Sequence, residues 1–367
     1  MKFNAIVVSA GPAGSSTAYH LAKSGLKVLL LEKETMPRFK LCAGCLSARA
    51  VKFLPEGYQH LFLNKIRSGR LGFRGVEEVR VKTEGEVAYI VDRSTFDHFL
   101  AQKAQEAGAE FLNGEFLGFD KEGAGYRVFT SRGSFLTEFV VGADGVRSRV
   151  SKLLGFRKKY YRSVEFFTHG RMEDEVLIEI GLVRRGYLWV FPHGEGISVG
   201  VASAGKEDLI SILKDYCKHK GIAYKHPKGW HIPLSENRNS LHLGRDRVLL
   251  VGDSAGMADP LLGEGIYYSL WAGKLLSEAI LKNPSEPLQV YEKLLKPLRD
   301  DILYAGKIGR LAYSFQRVSY KMGHGRALKE FYSVLTGHKS YKEVYRLGWF
   351  DFLKHLTKEG FFRIFKV

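Results

Sequence analysis

The chain has 367 residues, 45% of them hydrophobic, and carries 56 basic against 39 acidic side chains, a net charge of +17. Three cysteines are too few for a disulfide framework and indicate a reducing compartment. No apolar run approaches about 18 residues and the chain starts directly in a strand pattern, so we expect neither a membrane-spanning helix nor a signal peptide.

The first motif is a strand–turn–helix–strand unit. It predicts a buried strand over 3–8, a glycine-rich turn over 9–14, a helix over 15–23 and a second strand over 27–31. Such a unit places a pyrophosphate at the helix N-terminus and a carboxylate after the second strand on an adenosine ribose. The residues predicted to hold a dinucleotide are Ser9, Gly11, Ala13, Gly14, Glu32 and Lys33.

This turn departs from the usual G-x-G-x-x-G pattern at one position. Ser9 stands where the first glycine is expected, at a tight turn where a Cβ costs about 1 kcal/mol or more. We therefore expect weaker cofactor binding than glycine would allow, unless the hydroxyl of Ser9 compensates by bonding a phosphate. The degenerate motif alone is weak, because an ordinary strand, turn and helix give the same pattern.

Two shorter motifs follow along the chain. Ser94 is the predicted N-cap of a helix that runs to about Gly108. Arg93 precedes this helix and is a candidate phosphate ligand, although a solvated charge explains it equally well. Residues 140–148 predict another strand with a Gly-Asp-Gly turn, in which Asp144 is a further candidate cofactor ligand.

Residues 246–268 carry the most informative pattern of the chain. An apolar strand ends on Gly-Asp, a proline and two spaced glycines follow, and an amphipathic helix pattern then begins. This order is typical of a flavin site: the carboxylate binds the ribityl chain, and backbone N–H groups at the helix start approach the pyrimidine end of the flavin. Helix N-termini favour the negative charge of reduced flavin. The candidate contacts are Gly252, Asp253, Gly263, Gly265 and Ile266.

In this order, the four segments resemble the FAD-dependent oxidoreductases of the para-hydroxybenzoate hydroxylase fold, over roughly residues 1–285. Two details are similar to geranylgeranyl reductases. Residues 39–47 resemble their Cys-Gly-Gly segment beside the flavin, with Ala43 and Cys45 in place of glycines. Residues 186–192 resemble their Tyr-x-Trp-x-Phe-Pro substrate strand.

The resemblance implies an α/β fold: a Rossmann-like FAD-binding domain, an inserted β-sheet substrate domain and a C-terminal helical region. The chain length also favours more than one domain. Strand patterns at 176–182 and 197–202 fit the inserted sheet, and an amphipathic helix is predicted over 287–315. The expected domains are 1–59, 86–155 and 245–285 for FAD, 60–85 and 156–244 for the sheet, and 286–367 for the helical region.

The resemblance further implies an FAD-dependent reductase that saturates double bonds of a geranylgeranyl-type chain, carried by a prenyl lipid or prenyl diphosphate. Cys42, Tyr187 and Trp189 are then catalytic, and Tyr187, Trp189 and Phe191 line the substrate site. Alternation along a strand places these three rings on one face, but a plain core sheet would bury them equally well. The external electron donor is open between NAD(P)H and a reduced electron carrier. The proton donor is open between water, Cys42 and His193.

Several alternatives remain at this stage. Aromatic hydroxylases and halogenases share the fold, although Tyr187 and Phe191 depart from the halogenase Trp-x-Trp-x-Ile-Pro pattern. Ser9 also fits a lipid-binding protein that has lost tight FAD binding. Cys42 and Cys45 form a C-x-x-C that permits a redox disulfide, but no second pair supports zinc, and the histidine spacings favour no metal site.

The excess of basic residues indicates an anionic partner. No recognised nucleic-acid fold accompanies the charge, so a nucleic-acid partner is not expected. Residues 349–367 interleave aromatic and basic side chains, as interfacial helices do. We therefore expect a cytoplasmic protein on the inner face of the cell membrane, held by anionic lipid; a lysine-rich surface of a heat-stable protein is the alternative. The oligomeric state is left open.

Overall fold

The computed structural model describes residues 2–322 and 328–348. In chain order the strands are β1 (Lys2–Val8), β2 (Val28–Glu32), β3 (Cys45–Ser47), β4 (Phe62–Ile66), β5 (Ser68–Phe73), β6 (Glu77–Lys82), β7 (Ala88–Val91), β8 (Glu110–Asn113), β9 (Phe116–Glu122), β10 (Gly125–Thr130), β11 (Gly133–Gly142), β12 (Tyr160–His169), β13 (Glu175–Ile180), β14 (Gly186–His193), β15 (Gly196–Ser203), β16 (Lys228–Pro233), β17 (Gly244–Arg245) and β18 (Val248–Leu250). The helices are α1 (Pro12–Lys23), α2 (Arg93–Glu106), α3 (Arg149–Leu153), α4 (Leu209–Lys220), α5 (Ile266–Lys282), α6 (Pro287–Leu294), α7 (Lys296–Ser314), α8 (Gln316–Met322) and α9 (Leu328–Leu335).

An eight-stranded sheet carries the cofactor motifs. Its parallel centre has the order β18-β11-β1-β2-β8, and β17, β9 and β10 extend it with antiparallel pairs. All five side chains of β2 are buried, as expected for a parallel strand covered on both faces. The carboxyl ends of β1, β2, β11 and β18 therefore meet at one edge, where ligands bind in sheets of this type.

Helices α1 and α5 pack closely on this sheet because small residues face each other. A Cβ on Gly273 of α5 would lie 2.9 Å from Ser16 of α1. The Ser16 hydroxyl donates to the carbonyl of Leu270 at 2.9 Å, and the Ser277 hydroxyl donates to the carbonyl of Thr17 at 3.1 Å. This contact joins the two motifs that lie at opposite ends of the sequence.

A seven-stranded sheet in the order β16-β12-β15-β14-β13-β5-β6 forms the second layer. All its pairs are antiparallel except β13 with β5. On one face, Leu188 and Val190 pack in an apolar cluster with Leu209 and Leu213 of α4. Residues 187, 189 and 191 lie on the other face, in a second cluster. The alternation predicted for this strand is therefore present.

A small antiparallel sheet, β3-β7-β4, joins the two layers. Its strands come from both of the expected domains. Strands β3 and β7 lie in the ranges expected for the FAD-binding domain, and β4 lies in the range 60–85 expected for the substrate sheet. Strand β4 pairs with β7 rather than with the seven-stranded sheet, to which β5 and β6 belong.

Two predictions of local structure were wrong. Asp92, not Ser94, caps α2: its carboxylate accepts from the backbone N–H of Thr95 at 3.0 Å, and Arg93 is the first helical residue. The helix predicted over 287–315 is two helices, α6 and α7, that meet at Leu295. Pro297 in the first turn of α7 explains the break, because proline lacks the N–H that a continuous helix would need.

The described C-terminal helices close one side of the molecule. Helix α9 places Tyr332 against the aromatic cluster of the seven-stranded sheet, where its hydroxyl donates to the carbonyl of Val81 at 3.0 Å. Within residues 2–322 and 328–348, the structure has no helix long and apolar enough to cross a membrane. The segment predicted to be interfacial, residues 349–367, lies outside the described residues.

Candidate active site

The turn after β1 is built for close approach of its backbone. A Cβ on Gly14 would overlap the carbonyl oxygen of Ser9 and lie 3.1 Å from the Cβ of Ala143, so glycine is required there. Ser9 adopts φ +84°, in the left-handed region that favours glycine. Helix α1 begins at Gly11 without a side-chain cap, so its first N–H groups are available to a ligand.

Glu32 closes this end of the sheet, where the sequence predicts a ribose ligand. Its Oε2 accepts from the Ser9 hydroxyl at 3.0 Å and from the backbone N–H of Ala10 at 2.9 Å. The hydroxyl of Ser9 therefore bonds the candidate ribose ligand, a partner that the sequence analysis did not foresee. A groove of about 380 Å³ begins at the next residue and is lined by Lys33, Glu34, Asn113, Gly114, Glu115, Ser131 and Arg132.

A buried ionic cluster lies beside the turn. Arg93 binds Asp97 through two hydrogen bonds of 2.8 Å, and Arg38 binds the same carboxylate at 3.0 Å. The Nε of Arg38 lies 3.4 Å from Glu32, and its guanidinium lies next to Gly11. Sequence reasoning singled out Arg93 and missed Arg38, which lies closer to the predicted pyrophosphate turn. Only its position soon after Glu32 in the chain could have indicated it.

The second cofactor segment meets the first through direct contacts. A Cβ on Gly252 would lie 2.7 Å from the Cβ of Ala13. Asp253 follows, and its Oδ1 would lie 3.2 Å from a Cβ on Gly265, the residue before α5. The structure therefore brings together the residues that the sequence assigned to the pyrophosphate, the ribityl chain and the flavin ring.

Burial shifts the pKa values of Asp253 and of the lysines near it. Burial raises the pKa of Asp253, while the nearby cations Lys40, Lys158 and Arg93 act to lower it. Burial also lowers the pKa of Lys40 and of Lys158 to about 8 each. Lys158 donates to the backbone carbonyl of Ser254 at 2.8 Å. Three cations thus act on the carboxylate, and their positive charge favours an anionic ligand in this region.

The loop before α5 is shaped by Asp259. Its carboxylate accepts from the backbone N–H groups of Leu261, Leu262 and Glu264, at 2.9, 2.7 and 3.1 Å. Burial raises the pKa of Asp259 to about 7. Gly263, at the tip of this loop, has φ +69°. The loop is therefore held by Asp259, whose backbone carbonyl also accepts from the N–H of Gly263 at 2.9 Å.

Asp144 has structural partners in the described part of the chain. Its carboxylate accepts from the Ser148 hydroxyl, from the backbone N–H of Arg149 at 2.6 Å and from that of Val150 at 3.2 Å. These bonds cap the start of α3. The carboxylate of this candidate cofactor ligand is thus engaged with the protein.

The segment around Cys42 passes under the seven-stranded sheet. A Cβ on Gly44 would overlap the carbonyl oxygen of Val91, so this glycine is required by the backbone of β7. The Cys42 sulfur accepts from the backbone N–H of Gly44 at 3.4 Å. Burial raises the pKa of the Cys45 thiol to about 12. Cys42 and Cys45 are free thiols in this structure, and Cys45 is held in its protonated form.

The side chains of Tyr187, Trp189 and Phe191, which we call the aromatic wall, face this segment. Trp189 and Phe191 are buried, and all three belong to one apolar cluster with Ala43 and Cys45. The Tyr187 hydroxyl donates to the carbonyl of Leu262, next to Gly263. Its pKa is raised by burial. The wall therefore begins at the loop assigned to the flavin ring.

Two ionisable residues adjoin the aromatic wall. His193 ends β14, with its ring 4.6 Å from that of Phe167, and burial lowers its pKa. Glu165, which the sequence analysis missed, is a buried carboxyl on β12 that accepts from the Ser198 hydroxyl at 2.6 Å. Nothing in the local sequence marks Glu165, because its neighbours come from β14 and β15.

The residues present fit an FAD molecule. The obligatory glycine at position 14 allows close approach to the turn, and Glu32 lies at the end of β2 beside that turn. Asp253 lies between the turn and the start of α5. In contrast, no group of three or more His, Cys, Asp or Glu side chains within residues 2–322 and 328–348 is arranged to hold a metal ion.

Comparisons with known proteins agree with this geometry. Residues 2–172 match a family model described as an FAD binding domain. The chain is 31% identical to a geranylgeranyl diphosphate reductase of Rhodobacter capsulatus, over 77% of this chain and 75% of that protein. It is 30% identical to a digeranylgeranylglycerophospholipid reductase of Methanocaldococcus jannaschii, over 80% of this chain and 82% of that protein.

Solved structures show the same fold. A geranylgeranyl bacteriochlorophyll reductase-like protein from Thermoplasma acidophilum superposes with a TM-score of 0.78 at 22% identity, over 97% of this chain and 99% of that one. A flavin-dependent brominase superposes with a TM-score of 0.74 at 17% identity, over 97% of this chain and 100% of that one. The predicted Rossmann-like α/β fold and the FAD cofactor are confirmed. The chain therefore belongs to the geranylgeranyl reductase family of FAD-dependent oxidoreductases.

Proposed function

We propose that this protein saturates carbon–carbon double bonds in the geranylgeranyl-type chain of a prenyl lipid or prenyl diphosphate. The observation that carries the proposal is a contact between the aromatic wall and the loop over residues 259–265, which we call the flavin loop. The contact is made by Tyr187 and Leu262. An alkene chain offers nothing to hydrogen-bond, so burial against aromatic rings must supply its affinity. The names of the relatives from Rhodobacter capsulatus and Methanocaldococcus jannaschii support this substrate class.

The shape of the aromatic face suits a long linear substrate. From Tyr187 to His193 the strand extends about 20 Å, at about 3.3 Å per residue. Beyond His193, the backbone N–H of Gly194 donates to the Asn64 side chain at 2.9 Å. A groove of about 750 Å³ opens there, lined by residues 63–65, 170–174, 194 and 195. A chain that enters through this groove would reach the flavin loop along the aromatic wall.

Specific roles follow for the candidate residues. When bound, reduced FAD supplies a hydride equivalent to one alkene carbon, and a proton completes the saturation at the other. Cys42 and the aromatic wall orient the chain and exclude water from it. The proposed FAD ligands are Ser9, Gly11, Ala13, Gly14, Glu32, Lys33, Arg93, Asp144, Gly252, Asp253, Gly263, Gly265 and Ile266.

The proposal includes the domain division and the location. The FAD-binding unit consists of 1–59, 86–155 and 245–285, the substrate sheet of 60–85 and 156–244, and the helical region of 286–367. The net charge of +17 and the basic, aromatic composition of 349–367 support attachment to the anionic inner face of the cell membrane. NAD(P)H and a reduced electron carrier both remain candidate electron donors.

The direct test incubates the anaerobic, dithionite-reduced protein with a panel of prenyl diphosphates and prenyl phospholipids. We expect products heavier by two hydrogens for each double bond saturated, measured by mass spectrometry. Protein stripped of FAD serves as the control and should give none. The same protein with oxygen, halide and aromatic substrates tests the halogenase alternative; halogenated or hydroxylated products without prenyl reduction would overturn the proposal.

A further inference from the structure

One buried carboxyl differs from the others in what it binds. Six acidic residues are buried in the described part of the chain: Glu32, Asp97, Glu165, Glu179, Asp259 and Asp301. Three of these have an arginine within ion-pair distance: Glu32, Asp97 and Asp301. Glu179 accepts from the backbone N–H of Gly75, and Asp259 from three N–H groups. Among the hydrogen bonds and ion pairs of the described residues, Glu165 has neither an arginine partner nor a backbone donor.

Glu165 is held by uncharged side chains of its own sheet. Its Oε1 accepts from the Ser198 hydroxyl at 2.6 Å, and the oxygen of Ser198 accepts from the indole N–H of Trp189 at 3.1 Å. In register, Glu165 pairs with Gly200, which pairs with Trp189. A Cβ on Gly200 would overlap the Trp189 ring. Because residue 200 has no side chain, the indole of Trp189 can extend toward the carboxyl of Glu165.

The surroundings favour a carboxyl that exchanges a proton near neutral pH. Burial raises the pKa of Glu165 to about 7, while the Ser198 hydroxyl, the Lys40 ammonium and the Trp189 indole act to lower it. The cation that acts on it is Lys40, from the loop after β2; Lys228, its register partner on β16, places its ammonium 4.5 Å from the ring centre of Phe39. Cys42 and Asp253 in turn act to raise the pKa of Lys40. Glu165 therefore lies between the aromatic wall and the cations of the candidate flavin site.

We propose that Glu165 is the proton donor for double-bond saturation. This inference rests on the proposed function. Saturating one C=C bond needs a hydride equivalent at one carbon, which the reduced cofactor supplies as it becomes oxidised, and a proton at the other. The O–H bond of the Glu165 carboxyl breaks as the new C–H bond forms. The resulting carboxylate is stabilised by the Ser198 hydroxyl and by Lys40, and it regains a proton from water before the next turnover.

The Ser198–Trp189 contact gives the carboxyl its orientation. Because Trp189 donates to Ser198, the hydroxyl hydrogen of Ser198 is directed to Oε1 of Glu165. The proton of the neutral acid is then carried by Oε2. This assigns Ser198 a positioning role, in which it sets both the acidity and the orientation of the donor.

The test compares two matched variants of buried carboxyls. Glu179 lies on β13, on the opposite face of the same sheet, with Tyr216 of α4 beside it. We would measure single-turnover product formation by the dithionite-reduced holoenzyme across the neutral pH range. The wild-type rate should fall about tenfold per pH unit above about 7 because the donor must be protonated. Glu165→Gln should be at least tenfold slower, without this dependence, whereas Glu179→Gln should follow the wild type.

Two further measurements separate a chemical role from a structural one. Ser198→Ala removes a hydrogen bond that lowers the pKa of Glu165, so the pH at which the rate falls should move upward. Infrared difference spectra of the FAD-loaded protein should lose protonated carboxyl absorption as pH rises through about 7. The loss should be smaller in Glu165→Gln, where Asp259 is the remaining carboxyl whose pKa is raised to about 7. FAD content, measured by absorbance, should be equal in all variants.

The outcomes are distinct. If the wild type reduces prenyl chains and Glu165→Gln keeps its rate and pH profile, the proton-donor inference is wrong while the proposed function stands. The same holds if Cys42→Ala or His193→Gln, rather than Glu165→Gln, abolishes the pH dependence. If the wild type reduces no prenyl substrate, the proposed function fails and this inference fails with it.

Discussion

The guanidinium of Arg49 donates a hydrogen bond of 2.6 Å to Glu264, which stands between the two glycines of the flavin loop. A second bond, of 2.9 Å, joins Arg49 to Asp301 of α7. Asp301 in turn accepts from the backbone N–H of Tyr341 at 2.9 Å. One buried arginine therefore connects the loop that we propose for the flavin ring to the C-terminal helical region.

Replacing Arg49 should weaken both the fold and cofactor binding. Arg49→Met leaves Glu264 and Asp301 buried without their cation, a loss of about 3–5 kcal/mol in the free energy of unfolding. FAD affinity should also fall, because Glu264 no longer holds the loop at Gly263. Denaturant unfolding of the apoprotein and fluorescence titration with FAD measure the two effects.

An exposed arginine provides the control for this prediction. Arg67 pairs with Glu86 at 2.7 Å on the surface. Arg67→Met should leave the melting temperature and FAD affinity unchanged, because an exposed ion pair contributes little. An Arg49→Met protein that binds FAD as tightly as the wild type would contradict the coupling between this arginine and the loop.

Ser9 should limit FAD affinity. Its φ of +84° is unfavourable for any residue with a Cβ, and its hydroxyl bonds the Oε2 of Glu32, our proposed ribose ligand. Ser9→Gly removes both effects, so we expect FAD binding to tighten by about fivefold, equivalent to about 1 kcal/mol.

Ser9→Ala separates the two causes. Alanine keeps the Cβ in the same backbone conformation and frees Glu32, so a gain equal to that of Ser9→Gly would assign the whole effect to the hydroxyl. Both affinities are measured by titrating apoprotein with FAD. Weaker binding by both variants would mean that the Ser9 hydroxyl is a ligand of the cofactor, and our interpretation of the strain would be wrong.

The sequence predicts those parts of the site whose residues lie close together along the chain. The turn at Gly14 and the carboxylate at Glu32 are 18 residues apart in one strand–helix–strand unit, so their spacing predicts their roles once the segment at 246–268 supports the motif. Arg49 and Glu264 are separated by 215 positions, and their contact depends on the packing of several elements. No periodicity in the chain encodes such a pair.

The sequence did not indicate Glu165 for the same reason, because its neighbours are set by strand register. The carboxyl becomes significant only because β12 pairs with β15 so that Glu165 lies opposite Gly200. In contrast, the error over residues 287–315 was avoidable, since Pro297 marks a helix start in the sequence itself. The cap of α2 was ambiguous, because Asp92 and Ser94 are both good N-cap residues.

Asp253 should contribute to FAD binding and not to the stability of the apoprotein. Burial raises its pKa above the value in the unfolded chain, so the charge at this position opposes folding at neutral pH. Asp253→Asn should therefore leave the apoprotein as stable as the wild type or more so. FAD affinity should fall by one to two orders of magnitude, as expected when a charged hydrogen bond of about 1.5–3 kcal/mol is lost.

Asp120, on strand β9, supplies the matched substitution for this measurement. Asp120→Asn should change neither the melting temperature of the apoprotein nor the FAD titration. Unchanged FAD affinity in Asp253→Asn would show that this carboxylate does not hold the ribityl chain. A large fall in apoprotein stability would instead show that its charge supports the fold.

Membrane attachment should depend on the end of the chain. Deleting residues 359–367 removes three phenylalanines and two basic residues. Sedimentation with anionic vesicles should therefore decrease, while FAD content stays the same. Binding by the full-length protein should weaken as salt increases, because ions screen charges beyond about 8 Å at physiological ionic strength. If the full-length protein does not sediment with anionic vesicles, or binds neutral vesicles equally well, the peripheral location is wrong.

The two faces of β14 give the sharpest test of the substrate site. Trp189 lies on the aromatic wall, and Leu188 packs against α4 on the opposite face; both are buried. Trp189→Ala and Leu188→Ala should both lower the melting temperature, since truncating a buried side chain of this size costs about 2–5 kcal/mol. Only Trp189→Ala should change which double bonds are saturated, measured by mass spectrometry of the products, while dithionite still reduces its FAD. A substrate lying along the wall contacts Trp189 and not Leu188, so equal product distributions in the two variants would assign Trp189 to the core alone.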